Sequence, residues 1–177
     1  ILEINRNSEE IFHETFNKIN VNFHKLFRRL FNGGKAELVL TDPANILESG
    51  IEILVQPPSK ALQSVALLSG GENSMTAIAL LFAIFMVKPS PFCLLDEIDA
   101  ALDLPNIERF KKLINEFRGT TQFLMISHNI NTLKVADAIY GISMEEAGVT
   151  TAISLDLNEL EKNRKKYFDK KNVDKAE

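Results

Sequence analysis

Apolar residues recur at helical spacing near the start of the chain, between residues 8 and 31. A period close to 3.6 residues predicts an amphipathic helix with one apolar face. Ser8 is expected to cap the start of this helix, and Gly33 and Gly34 are expected to end it. The apolar positions are Ile11, Phe12, Phe16, Ile19, Phe23, Leu26, Phe27 and Leu30.

The next segment predicts two short strands and then a longer helix. Strand-like runs at residues 37–40 and 51–55 are separated by Asp-Pro and Pro-Pro pairs, which are turn signals. A long apolar helix is expected to begin at the Ser69-Gly70-Gly71 sequence and to end near Lys88.

Two continuous apolar runs, at residues 92–95 and 123–126, flank a helix predicted from Pro105 to Phe117. Such runs are typical of parallel strands that are buried on both faces. A strand, a helix and a second strand at this spacing predict a βαβ unit. The pattern therefore indicates an α/β fold, with a mostly parallel sheet and flanking helices. Two more strands, near 138–142 and 150–155, and a charged helix from about residue 157 complete the prediction.

Composition limits the possible settings of this fold. The 177 residues are 45% hydrophobic and 25% charged, which is ordinary for a globular domain. The formal net charge of -4 gives no overall basic face, so any nucleic-acid contact must be local or come from elsewhere in an assembly. The longest apolar stretch, residues 77–87, is too short to span a bilayer. The chain begins at Ile1 without a methionine, so it is expected to be an excised or processed fragment, and no signal peptide precedes the fold. Its one cysteine, Cys93, lies in an apolar run, which favours a reducing compartment such as the cytoplasm.

The sequence Ser69-Gly70-Gly71 is a candidate anion site. Two glycines at a helix start let several backbone N–H groups point at one spot, where the helix dipole favours a negative charge and the serine hydroxyl adds a donor. Taken in isolation, these residues are better explained as a serine cap followed by a flexible turn.

A second candidate site lies where the predicted parallel strands end. Asp96 and Glu97 follow the first apolar run, and Ser127 and His128 follow the second. Ligands bind beyond the carboxyl ends of such strands. One carboxylate could hold a hard cation such as Mg²⁺ and the other could orient and deprotonate a water, while the imidazole could donate to a phosphate. Each residue alone could simply end a strand, but the ordered set favours a functional site.

Four motifs, in this order and spacing, resemble those of ABC-type ATPases. Residues 68–72 (LSGGE) are similar to the ABC signature motif, and residues 92–97 (FCLLDE) to a Walker B strand with its catalytic glutamate. Residues 99–103 (DAALD) resemble the D-loop, and residues 127–129 (SHN) resemble the switch-histidine loop.

The flanking sequence narrows the resemblance to the C-terminal half of the ATPase head of a bacterial structural-maintenance-of-chromosomes (SMC) protein. The likeness covers roughly residues 10–158, and Asn73 departs from it, since the family usually has a basic residue there. The supporting blocks lie at residues 33–38, 50–53, 57–64, 76–84 and 140–144.

The chain lacks a phosphate-binding Walker A loop, Gly-x-x-x-x-Gly-Lys-Ser/Thr. The nearest run, Gly33-Gly34-Lys35, has Ala36 where the hydroxyl should be. The resemblance implies that an N-terminal lobe supplies this loop and that a long coiled coil separates the two lobes in sequence. The implied organisation is a coiled-coil-proximal helix at 1–32, a C-terminal ABC ATPase lobe at 33–158 and a charged helix or tail at 159–177.

The resemblance also implies the site chemistry, with ATP and Mg²⁺ as ligands. Asp96 would help hold Mg²⁺ through a bound water, Glu97 would polarise the attacking water, and His128 would lie near the γ-phosphate. The implied partners are the N-terminal lobe, a second head in a homodimer, a kleisin subunit and DNA through the whole complex, in a nucleoid-associated, non-membrane setting. Residues implied to contact ATP held by the second head, or to couple the two sites, are Ser69, Gly70, Gly71, Glu72 and Asp103.

Two other interpretations remain open at this point. One is a long-coil ABC ATPase of DNA repair, of the Rad50 or RecN kind, although the flanking blocks favour SMC. The other belongs to a different class, a non-catalytic module that only docks a kleisin or DNA. A transporter subunit fits less well, because the first helix and the flanking blocks do not belong to one.

Overall fold

A computed structural model describes residues 2–146 and 148–156, and the chain divides into two compact units, Ile1–His128 and Asn129–Glu177. The charged helix or tail predicted at residues 159–177 lies outside the described residues. The first unit contains α1 (Leu2–Phe31), β1 (Lys35–Leu40), β2 (Ile51–Gln56), β3 (Gln63–Ser64), α2 (Gly70–Val87), β4 (Phe92–Asp96), α3 (Leu104–Phe117) and β5 (Gln122–Ile126). The second contains α4 (Ile130–Leu133), β6 (Ala138–Glu146) and β7 (Val149–Asp156).

Helix α1 begins earlier than predicted and ends where predicted. It starts at Leu2, so Ser8 lies inside the helix and is not its cap. A serine within a helix costs only about 0.5 kcal/mol relative to alanine, which is too little to end a long helix. At the other end Gly34 has φ +80 and lies so close to the Gln56 carbonyl that an added Cβ would sit 2.2 Å from the oxygen. Glycine is therefore required where the chain turns into β1.

The outer edge of β1 is covered by side chains of α1. The Asn20 amide donates to the Leu38 carbonyl (Nδ2 to O, 3.2 Å), and its Oδ1 accepts from the Leu38 N–H (2.8 Å). One turn later, His24 Nδ1 lies 3.2 Å from the Ala36 carbonyl oxygen. Because β1 pairs with β2 on its other side, α1 supplies partners that a neighbouring strand would otherwise supply.

The core of the first unit is built from α1, α2 and α3. Phe82 of α2 is fully buried, and its ring centroid lies 5.0 Å from that of Phe117 and 6.0 Å from those of Phe85 and Phe123. Among the described residues, no buried side-chain nitrogen or oxygen lacks a hydrogen-bond partner. Other fully buried side chains are Phe23, Phe27, Met75, Ile78, Phe110, Ile107 and Leu113.

The α/β class is confirmed, and the predicted βαβ unit is present, because β4 and β5 pair in parallel with Phe92 opposite Gln122. Parallel pairing among the described strands is confined to these two. Strands β1, β2 and β3 form one antiparallel sheet, and β6 and β7 form another. Parallel pairing needs a crossover connection of roughly a dozen residues or more, and β4 and β5 are joined by such a crossover through α3, whereas the strands within each antiparallel sheet are joined by shorter connections.

Strand β4 also differs from its prediction in burial. Its side chains alternate, with Cys93 and Leu95 buried but Phe92 and Leu94 exposed by 62% and 64%. On β5, Leu124 and Ile126 are each 50% exposed. The prediction of burial on both faces is therefore wrong for this chain by itself, because its helices cover one face only.

Helix α2, Gly70–Val87, is long and apolar enough to cross a membrane by length and composition alone, and it is the one such helix in the described part of the chain. This differs from the expectation based on its longest apolar stretch. The signal is weak, because a core helix passes the same test. Here the buried face of α2 includes Met75, Ile78 and Phe82.

Candidate functional site

The predicted anion site lies at the start of α2. Ser69 is the N-cap residue, and its carbonyl accepts the first helical hydrogen bond, from Asn73 N (2.8 Å). Both the Ser69 hydroxyl (2.7 Å) and the Ser69 N–H (3.1 Å) donate to Oε2 of Glu72. Glu72 thus caps the helix start in the way that an acidic residue at the third helical position does.

Glu72 has a second partner that the sequence analysis missed. Lys60, in the loop between β2 and β3, donates from Nζ to Oε1 (2.8 Å) and to Oε2 (2.9 Å) of Glu72. The hydrogen bond from Lys60, followed by that from Ser69, lowers the pKa of the Glu72 carboxyl. Lys60 and Glu72 are 12 residues apart in the sequence, and no helical or strand period relates them.

The two glycines of the motif have different surroundings. A Cβ added to Gly70 would have nothing within 4 Å, so this residue borders open space. A Cβ added to Gly71 would lie 3.0 Å from the carbonyl oxygen of Ala101, in the turn that precedes α3. Gly71 therefore permits the close approach of α2 to that turn, whereas Gly70 leaves room for a ligand.

Glu97 and His128 meet beyond the parallel strands, as the strand order predicts. Asp96 is the last residue of β4, and Glu97 continues the pairing by donating its N–H to Ile126 O (2.9 Å). Glu97 Oε1 lies 3.0 Å from His128 Nε2. Glu97 also has a φ of +47°, a left-handed conformation that is costly for a residue with a side chain, and strained residues of this kind cluster at functional sites.

A second contact joins the same two loops beneath this pair. Asp99 is 3% exposed, and its Oδ2 accepts a hydrogen bond from the Ser127 hydroxyl (2.6 Å). The contact ties the turn after Glu97 to the residue before His128. The sequence analysis placed Asp99 and Ser127 in motifs but assigned neither a role, because only the fold brings them together.

Asp103 has an observed structural role as the N-cap of α3. Its Oδ1 accepts from the backbone N–H of Asn106 (3.0 Å), and Pro105 occupies the first turn, as predicted. The cap fixes the point at which the turn from Glu97 enters α3. The coupling role implied for Asp103 by the resemblance stays a prediction.

The site fits Mg²⁺ only in part. Asp96 presents an exposed carboxylate at the end of β4, which is a suitable hard ligand. Among the described residues, no group of three or more His, Cys, Asp or Glu side chains is placed to hold a metal ion. Asp96 can therefore supply one direct or water-mediated contact, and the remaining ligands would be water, phosphate oxygens or groups of another lobe.

The predicted residues thus form two clusters. Glu97 and His128 lie in the loops after β4 and β5, and Ser69, Gly70 and Glu72 lie at the start of α2. Gly71 links them by packing against the turn that begins at Glu97. Ser69 and the open space at Gly70 therefore belong to a different element from Glu97.

This fold and its likeness to solved structures define the chain as a fragment of an SMC head. The chain matches, with 38% identity and a TM-score of 0.84, the Smc head domain with an extended coiled coil bound to the C-terminal domain of ScpA from Pyrococcus furiosus, over 94% of this chain and 42% of that one. It also matches a chain from a study of ATP-driven dimerization and DNA-stimulated activation of SMC ATPases, with 38% identity and a TM-score of 0.73, over 89% of this chain and 96% of that one.

The chain belongs to the RecF/RecN/SMC family, whose N-terminal domain matches residues 4–151. Among curated proteins it is 51% identical over 159 residues to the chromosome partition protein Smc of Halothermothrix orenii and 49% identical over 159 residues to that of Bacillus subtilis. These alignments cover 90% of this chain but only 13% of each relative.

Proposed function

We propose that the chain is the C-terminal part of an SMC ATPase head, and that it hydrolyses ATP only when an N-terminal lobe and a second head complete it. The observation that carries this proposal is the Glu97–His128 pair at the carboxyl ends of two parallel strands, in a chain without a Walker A sequence. The chain carries the groups proposed for hydrolysis but not the loop that would hold the phosphates.

The chemistry assigned to the pair is general-base catalysis. Glu97 would orient and deprotonate the water that attacks the γ-phosphate, and His128 would hold the Glu97 carboxylate in place and donate to phosphate when protonated. The Asp99–Ser127 hydrogen bond would keep the two loops at this spacing. Mg²⁺, when bound near Asp96, would offset the charge of the phosphates.

The exposed face of β4 and β5 supports a missing lobe. Phe92, Leu94, Leu124 and Ile126 are each at least half exposed, on the strands that carry the site. Contiguous exposed apolar side chains mark a surface that another protein element covers. A lobe seated there would bring its phosphate-binding loop to the same sheet edge as Asp96 and Glu97.

The signature cluster would act on the nucleotide of the second head. Ser69, Gly70 and Gly71 begin a helix in a lobe that has no phosphate loop, and Gly70 borders open space. ATP held by one head would then join the two heads, and hydrolysis would release them. We propose that this ATP cycle serves chromosome organisation, because the curated relatives are named chromosome partition proteins. The proposed partners are DNA and a kleisin, since a solved Smc head carries a domain of ScpA, and the proposed location is the nucleoid.

The test is Ser69→Arg in a head rebuilt with its N-terminal lobe. Arginine would fill the space beside Gly70, so ATP-dependent dimerisation and turnover are expected to fail, while each monomer keeps its ATP affinity. The measurements are ATP affinity by calorimetry, dimerisation by analytical ultracentrifugation and phosphate release.

Asn73→Arg is the matched control, because it adds the same side chain at an exposed position one helical turn further on. It is expected to dimerise at least as well as the unaltered head. Loss of ATP affinity in the Ser69→Arg monomer would contradict action across the interface. If the Ser69→Arg head dimerises normally and hydrolyses ATP at the full rate, Ser69 is not part of the site. If the unaltered head dimerises but does not hydrolyse ATP, the docking-module alternative is favoured.

A further inference from the structure

The loop that carries Lys60 is held in a defined conformation. Lys60 N donates to Pro57 O (3.1 Å), and the Gln56 side chain donates from Nε2 to Lys60 O (3.1 Å). Between them, Ser59 has a φ of +67°. The backbone thus presents the Lys60 side chain to Glu72 of α2, where its ammonium contacts both carboxylate oxygens.

Glu72 creates an electrostatic difficulty for the proposed site. Its carboxylate lies 2.7 Å from the Ser69 hydroxyl, and that hydroxyl is the group proposed to meet a phosphate of the second head. An unpaired carboxylate so close to a polyphosphate would repel it. In addition, the Ser69 hydroxyl donates to Glu72 here, so it must leave Glu72 before it can donate to phosphate.

We propose that Lys60 is a positioning residue for trans-nucleotide capture: it neutralises Glu72, so that a phosphate group can approach Ser69 and the serine hydroxyl can turn from carboxylate to phosphate. This inference rests on the proposed function, since it concerns the same signature cluster. Lys60 keeps two hydrogen bonds on Glu72 when the serine leaves, so the carboxylate is never without a partner.

A purely structural role would have different consequences. The Lys60 side chain is 47% exposed and that of Glu72 is 23% exposed, and pairs of this exposure contribute little to folding stability. Removing the ammonium should therefore leave the fold intact. It should weaken head dimerisation, because Glu72 would then face the incoming phosphates with its charge uncompensated.

The experiment compares Lys60→Met, Lys60→Arg, Glu72→Gln and the Lys60→Met/Glu72→Gln double variant in the rebuilt head, with Glu97→Gln present in all of them to block hydrolysis. The readouts are Mg-ATP-dependent dimerisation by analytical ultracentrifugation and ATP affinity of the monomer. Lys60→Met is expected to weaken dimerisation on the order of tenfold. This is the effect expected from the electrostatic repulsion between one carboxylate and several phosphate charges at about 6 Å in water. Lys60→Arg should retain dimerisation.

The double variant decides the mechanism. Glutamine keeps an acceptor for the Ser69 N–H but carries no charge, so Glu72→Gln should restore dimerisation to the Lys60→Met head. The Lys60→Met defect should also shrink as salt is raised. Unchanged dimerisation in Lys60→Met, or a double variant as weak as Lys60→Met, would overturn the inference. A Ser69→Arg head that dimerises and turns over normally would overturn the proposed function instead, so the two failures are distinguishable.

Discussion

Substitution by alanine is expected to have opposite effects on stability at the two glycines that begin α2. Gly70→Ala adds a methyl group with nothing within 4 Å, at a position without positive φ. Alanine has fewer backbone conformations than glycine in the unfolded chain, so the substitution should stabilise the fold by about 0.4–1 kcal/mol. For a chain of this size the expected rise in melting temperature is about 1–4 °C. The same methyl group occupies the space proposed for the second head's phosphate, so dimerisation should fall by at least about tenfold, through steric exclusion.

Gly71→Ala should behave differently. Its methyl group would lie 3.0 Å from the Ala101 carbonyl oxygen, so the backbone of the turn would have to move by a few tenths of an ångström. Crowding of this kind costs about 1–3 kcal/mol, which exceeds the gain of about 0.4–1 kcal/mol from restricting the unfolded chain. The expected result is a lower melting temperature together with altered turnover, because the moved turn leads back to Glu97.

Thermal unfolding of each variant and ATP-dependent dimerisation of the rebuilt heads would test both glycines. The informative pattern is a Gly70→Ala head that is more stable than the unaltered one and yet does not dimerise. A Gly70→Ala head that dimerises normally would refute the placement of phosphate beside Gly70. Two variants of equal stability would refute the distinction between open space at Gly70 and the close contact at Gly71.

Two further predictions concern the Glu97–His128 pair and the core. Glu97→Gln should keep ATP binding but slow hydrolysis by about 10²–10⁴-fold, so that ATP-bound dimers accumulate; near-normal phosphate release would place the general base elsewhere. Phe82→Ala should lower the free energy of unfolding by about 3–5 kcal/mol, because Phe82 is fully buried against Phe85, Phe117 and Phe123. Ile84 lies on the same helix but is exposed, so Ile84→Ala should lower it far less. Equal losses for the two variants in denaturant titrations would contradict the assigned core.

Local signals were sufficient for the elements that position the site. The Gly-Gly start of α2, the apolar run of β4 and Pro105 in the first turn of α3 each have a local physical cause, and the structure places all three as expected. The meeting of Glu97 and His128 followed from one further rule, that parallel strands end at the same edge. Their 3.0 Å contact therefore confirms the predicted proximity, while their catalytic roles stay predictions.

Some features could not be predicted because they depend on contacts between distant parts of the chain, or on which face of a strand the rest of the protein covers. Lys60 meets Glu72 through the path of a loop, and Asp99 meets Ser127 across two strands. The apolar run of β4 indicates two-sided burial because its side chains are apolar on both faces, yet the chain's own helices cover only one. The start of α1 was misplaced because Ser8 carries a capping signal that a continuous helix overrides.

The attachment of α1 has a mechanical consequence. Its hydrogen bonds to the edge of β1 come from Asn20 and His24, and a bidentate ion pair to Glu116 of α3 comes from Arg29, so these links lie in the last part of a 30-residue helix. The stretch before Asn20 is about 27 Å long at 1.5 Å per residue, so a tilt of about 10° at the anchor would displace its far end by about 5 Å. A small rearrangement of β1 or α3 would therefore produce a larger displacement at the far end of the helix.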